Sequence, residues 1–100
     1  MFRFERSATV KTAAEIPAAV QFAVQVTSYL NKRHSLNMSF GVELFGGTRL
    51  HWYFDSESLD KSVQLMRTLL EDREYSQMLD KSKSIWIDGG TKDTIVSLIA

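Results

Sequence analysis

Two hydrophobic periodicities alternate along this chain, and their order restricts its fold more than any other feature. From Phe2 to Val10, Phe2, Phe4, Ala8 and Val10 fall on one side and Arg3, Glu5, Ser7 and Thr9 on the other. That period of two is the signature of a half-buried strand. Arg6 interrupts the apolar side, as a long side chain reaching past a sheet would. The pattern then turns helical as far as His34. Thr12-Ala13-Ala14-Glu15 has the form of a capping box, but Pro17 would forfeit one helix bond and favours a start one or two residues later. Ile16, Val20, Phe22, Ala23, Val24, Val26, Tyr29 and Leu30 leave only a narrow polar stripe of Gln21, Gln25, Ser28 and Lys32. Such a helix expects burial by more than its own sheet. Lys32, Arg33 and His34 place positive charge at its C-terminus, where it complements the helix dipole.

Met38 to Phe45 alternates again, with Met38, Phe40, Val42 and Leu44 opposed to Ser39, Gly41, Glu43 and Phe45. Gly46-Gly47-Thr48 is a turn, and Arg49 to Asp55 returns as a strand with Leu50, Trp52 and Phe54 on one side. Ser58 can cap a second helix that carries Leu59, Val63, Met66, Leu69 and Leu70 at helical spacing. The pattern stalls at Glu71-Asp72-Arg73-Glu74, read as a solvated kink, and resumes as a shorter helix with Tyr75, Met78 and Leu79, ending before Ile85-Trp86-Ile87. Asp88-Gly89-Gly90 is a turn, and Thr94 to Ile99 is a last, β-branched strand.

The order β-α-β-β-α-β joins two right-handed crossovers through a hairpin. It predicts one α+β domain spanning residues 1–100, a ferredoxin-like four-stranded antiparallel sheet with the helices on one face. Phe4, Phe40, Val42, Leu44, Leu50, Trp52 and Phe54 form the expected helix-facing core. The opposite face receives Arg3, Glu5, Ser39, Glu43, Phe45, His51 and Tyr53, joined by Ile95 and Ile99 from the last strand. Large apolar groups on that face are costly in water, at about 25 cal/mol per Å². The expectation is therefore a homodimer that closes the two open faces into an α/β barrel, with charges paired across the strands.

Composition excludes several alternatives. Lys plus Arg and Asp plus Glu both total 12, so the formal charge is zero and offers little for phosphate neutralisation by a nucleic-acid partner. RNA-recognition domains share this element order, but Arg49-Leu50-His51-Trp52-Tyr53-Phe54 lacks their glycines and exposes only Tyr53. Without cysteine there is no disulfide, thiolate nucleophile or thiolate metal site. No apolar run could span a bilayer, no basic amphipathic stripe suits a membrane surface, and Met1 to Arg6 does not resemble a signal peptide. A cytoplasmic location is expected.

The layout resembles that of the dimeric α/β-barrel superfamily, which includes antibiotic-biosynthesis monooxygenases and NIPSNAP-like proteins. The stretch Leu69-Leu70-Glu71-Asp72-Arg73-Glu74-Tyr75-Ser76-Gln77-Met78-Leu79-Asp80-Lys81 is similar to their second-helix segment, and Phe54-Asp55-Ser56 leading to Leu59 to their third-strand exit. The resemblance implies a homodimer with a small-molecule cavity in or beside the barrel. Superfamily activities include cofactor-free oxygenation, haem degradation and polyketide cyclisation. The Asn, Trp and His of the haem-degrading members have no counterpart set here, because Asn31 and Asn37 sit at and after the end of the first helix.

Two site hypotheses follow. His51, Tyr53 and Glu43 on one face could transfer protons to an aromatic or polyketide-like substrate, as a cofactor-independent monooxygenase-like enzyme would require. The plainer alternative is a hydrogen-bond network within a non-catalytic, ligand-binding or accessory homodimer. Arg3, Glu5, Phe45 and Trp52 are the candidate ligand contacts, although Trp52 shares its side with Leu50 and Phe54 and suits the core. Tyr29, Phe22 and Met66 are read as core, with a pocket between helices and sheet as the alternative. His34 lacks companions at ligand spacing, so no metal site is expected, and no cofactor is implied.

Overall fold

The computed structural model describes residues 1–99. Strands β1 (Phe2–Thr9), β2 (Ser39–Val42), β3 (Arg49–Ser56) and β4 (Lys92–Ser97) form one antiparallel sheet in the order β2-β3-β1-β4. Helices α1 (Ile16–His34), α2 (Leu59–Glu71) and α3 (Arg73–Ser82) complete the ferredoxin-like α+β architecture. Phe4, Ala8, Leu50 and Trp52 from the sheet pack with Ala19, Ala23, Val26 and Leu30 of α1, Leu65 and Leu69 of α2, and Tyr75 of α3. The alternation in β1 and β3 thus marks the core as expected.

Local chemistry explains the helix boundaries. The capping box at Thr12 does not form: Thr12 makes no side-chain cap, and Ala13–Glu15 winds as a short 3-10 turn before α1. Pro17 consequently lies in the first turn of α1, where a missing N–H costs nothing. Ser58 does cap α2, its hydroxyl accepting from the Lys61 N–H at 3.4 Å. Asp72, extended between α2 and α3, accepts from the Tyr75 N–H at 3.0 Å and so starts α3.

Four expectations are corrected. Leu44 lies beyond β2 and is 86% exposed rather than core, while Val42 is marginal at 37%. On α2 the buried positions are Ser62, Leu65 and Leu69, so Leu59, Val63 and Leu70 remain outside. Pairing of Phe4 with Ile95 and of Arg3 with Val96 fixes the register of β4. Directly opposed residues share a face, so Ile95 stands on the helix side and Val96 with Thr94 on the open side. Ile99 lies past the end of β4. The segment Glu71 to Glu74 is not simply solvated either, because the Asp72 side chain is only 7% exposed.

Candidate functional site

Between the helix layer and the sheet lies a cavity of about 320 Å³. Phe22, Val26 and Leu30 of α1, Leu69 of α2 and Leu79 of α3 form its roof, and Phe4, Ala8 and Trp52 its floor. Trp86, from the segment after α3, sets its ring edge-on to Phe22 at 5.8 Å and to Trp52 at 6.0 Å. The Trp52 indole N–H is satisfied by the buried Thr27 hydroxyl at 3.1 Å, which holds the ring in place. Size and aromatic lining match those of small-molecule pockets.

Arg6, Tyr75 and Thr91 add polar residues to this largely apolar lining. Arg6 points to the helix side from β1, and its Nε and Nη2 grip the Asp93 carboxylate at 2.8 and 2.9 Å. This bidentate contact raises the guanidinium's proton affinity further, against the cost of burial. Nη1 donates to the Tyr75 hydroxyl at 3.2 Å. Burial raises the Tyr75 phenol above its usual range despite the neighbouring cation, so it remains a hydroxyl at neutral pH. Arg6 therefore completes the alternation of β1 with a charge on the core side, neutralised by Asp93 on the adjoining strand.

The open face holds most of the residues singled out from the sequence. Arg3 forks onto Asp55 at 2.8 and 3.0 Å, and Arg49 onto Glu43 at 2.8 and 3.1 Å. These guanidinium bonds hold the Asp55 and Glu43 carboxyls below their usual range. His51 lies between Glu5, at 3.2 Å from Nδ1, and Glu43, at 3.7 Å from Nε2. Its ring stacks on Tyr53, interplanar angle 9°, and Arg3 covers the Tyr53 ring at 5.5 Å. Burial, then the nearby Glu5 carboxylate, raises the Tyr53 phenol.

Arg3, Glu5, Glu43, His51 and Tyr53 are thus brought together. Trp52 is on the other face of the sheet, and Phe45 sits in the β2-β3 turn, 90% exposed. Nδ1 of His51 is hydrogen-bonded to Glu5 on the neighbouring strand, whereas Nε2, 3.7 Å from Glu43, lies within ion-pair but not hydrogen-bond distance of it. Arg3 with Asp55 and Arg49 with Glu43 thus pair within the face and Glu5 meets His51, whereas Lys92, opposed to Ser7, forms no ion pair there among the described residues.

Sequence reasoning passed over a third cluster. The Tyr29 hydroxyl donates to Asp72, 2.8 Å from both carboxylate oxygens, and His34 Nε2 lies 2.6 Å from the same group. Burial opposes ionisation of Asp72, but the Tyr75 N–H, His34 and Tyr29 outweigh it and bring the carboxyl down to about 2. Burial and the adjacent carboxylate push the Tyr29 phenol up to about 12. Tyr29 therefore serves the junction of α1 with the α2-α3 break, not the cavity, and of the three residues considered for a pocket only Phe22 lines it. An acidic residue within a charged run gives no sign in sequence that its neighbours will enclose it. Among the described residues no group of His, Asp or Glu could hold a metal ion, and no helix is long and apolar enough to cross a membrane.

A four-stranded antiparallel sheet in the order β2-β3-β1-β4 with its helices packed on it is a ferredoxin-like fold. Solved structures with this fold include a NIPSNAP family protein from Agrobacterium tumefaciens, similar at a TM-score of 0.77 and 12% identity over 96% of this chain and 90% of that one. A NIPSNAP-like domain protein from Burkholderia xenovorans reaches a TM-score of 0.82 at 11% identity, covering 99% and 85% of the two chains. A candidate antibiotic biosynthesis monooxygenase from Deinococcus radiodurans gives 0.72 at 15% identity, covering 98% and 92%. No protein-family model matches the chain, and no curated protein matches it significantly. At these identities the likeness is one of fold.

Proposed function

We propose that this protein is a homodimeric small-molecule-binding protein whose ligand occupies the cavity between helices and sheet. The cavity itself carries the reading: about 320 Å³ of space lined by Phe22, Trp52, Trp86 and aliphatic side chains, in a domain small enough that filling it with core would be the simpler use of sequence. An apolar body fits this lining. The test titrates the full chain with 2-ethylnaphthalene and follows amide and side-chain NMR shifts. Shifts are expected at Phe22, Val26, Trp52 and Tyr75, and Ala8→Leu, which projects a branched side chain into the floor, abolishes them. Shifts confined to the outer surface, or none at all, refute the ligand site.

A second copy of the chain is the proposed cover for the open sheet face. In support, the two arginines there already hold carboxylates, Arg3 with Asp55 and Arg49 with Glu43, and Glu5 is hydrogen-bonded to His51, so burial of this central cluster leaves neither guanidinium uncompensated. Val96 on that face and the exposed Leu44, Phe45 and Ile99 at its margins supply apolar area for contact. Sedimentation velocity is expected to give a dimer, shifted toward protomer by Val96→Asp. A lone protomer for the unmodified chain at tens of micromolar overturns this part.

A further inference from the structure

We propose that Arg6, Tyr75 and Asp93 read the polar end of the cavity's ligand, and that this ligand is an apolar molecule ending in a neutral carbonyl oxygen. The inference rests on the cavity being the ligand site and adds what that site selects. A guanidinium has five N–H groups. In Arg6, Nε and one Nη2 hydrogen go to Asp93 and one Nη1 hydrogen to the Tyr75 oxygen. The other Nη2 hydrogen has only the Met66 sulfur at 3.9 Å. The second Nη1 hydrogen has no acceptor among the described residues, and neither does the Tyr75 O–H, whose oxygen is the acceptor in its one hydrogen bond. Two side chains lining the same apolar cavity therefore hold unused donors side by side, with Tyr75 7% exposed. A donor left unmatched in such surroundings favours a ligand that supplies an acceptor.

Asp93 decides the charge of that acceptor. It already neutralises Arg6 through both of its oxygens. A ligand carboxylate would have to share one guanidinium with a second carboxylate, a like-charge pairing that opposes binding. A carbonyl oxygen has two lone pairs, carries no net charge, and accepts from both unused donors without that conflict.

The experiment compares three probes of the same shape on the full chain by calorimetry: 2-acetylnaphthalene, 2-naphthoate and 2-ethylnaphthalene. The acetyl compound is expected to bind about tenfold more tightly than the ethyl compound, as one or two hydrogen bonds in an apolar site allow. The naphthoate is expected to bind more weakly than the acetyl compound. Tyr75→Phe keeps the ring and the packing but brings acetyl binding down toward the ethyl level. Asp93→Asn strengthens naphthoate about tenfold while moving the acetyl compound less than about threefold, a change of selectivity that a merely structural role would not produce. Circular dichroism and thermal melts confirm that both variants fold. If ethyl and acetyl compounds bind alike, or if naphthoate binds best to the unmodified chain, the polar reading is overturned. Should all three bind equally and Ala8→Leu abolish all three, the cavity survives as a ligand site and only its proposed selectivity falls. Binding by none of them removes both.

Discussion

Replacing Asp72 tests whether a single carboxylate fastens the helix layer. The side chain is 7% exposed and accepts from the Tyr29 hydroxyl, from His34 and from the first turn of α3. Its carboxyl titrates at about 2 in the folded chain against an ordinary value of 3.8. Each unit corresponds to roughly 1.4 kcal/mol, so the shift, discounted for screening near the surface, is worth about 1–2 kcal/mol. Because the folded value is the lower one, the contribution is complete above pH 3.8 and disappears as pH falls through about 2. Asp72→Asn retains an acceptor for the Tyr75 N–H and is expected to lose about that amount at neutral pH. Asp72→Ala also removes the cap, for roughly 1 kcal/mol more. Urea denaturation at fixed protomer concentration reads these losses. With a slope near 1 kcal/mol/M for a chain of this size, the midpoint falls by about 1–2 M for Asn and by about 2–3 M for Ala. The gap between native protein and Asp72→Asn should narrow steadily between pH 4 and pH 2. A gap that is below about 0.3 kcal/mol at pH 7, or that persists unchanged at pH 2, refutes the account of Asp72 as an ionised hub.

Two other predictions concern the frame around the cavity. Thr27→Val strands the buried Trp52 indole N–H and should cost about 1–3 kcal/mol, whereas the double change Thr27→Val with Trp52→Phe should cost clearly less than the sum of the two single changes. Additive losses in thermal melts would show that the 3.1 Å contact carries no coupling. Gly89 adopts φ +71°, so Gly89→Ala is expected to lower stability by about 1 kcal/mol through backbone strain alone, since a Cβ there meets no neighbouring atom. An unchanged denaturation midpoint would contradict that reading of the turn before β4.

The sequence by itself determined the order of elements, the antiparallel sheet with its helices, and the buried alternation of Phe4, Ala8, Leu50 and Trp52, because hydrophobic period is a local property that each segment carries in its own residues. It also placed His51, Tyr53, Glu5 and Arg3 on one face, for the same reason. Tertiary structure decided whatever depends on how two segments meet. The register of β4 is set by its pairing with β1, and one position of slip would exchange Ile95 for Val96. The rotation of α2, which buries Ser62 and leaves Val63 outside, depends on the surface beneath it. Arg6, distant in sequence from both Tyr75 and Asp93, becomes the polar end of a cavity only when β4 and α3 arrive beside β1. Asp72 becomes an enclosed hub only when α1 brings Tyr29 and His34 to the break between α2 and α3. Pairings of this kind link residues tens of positions apart, and neither partner's immediate sequence specifies the other.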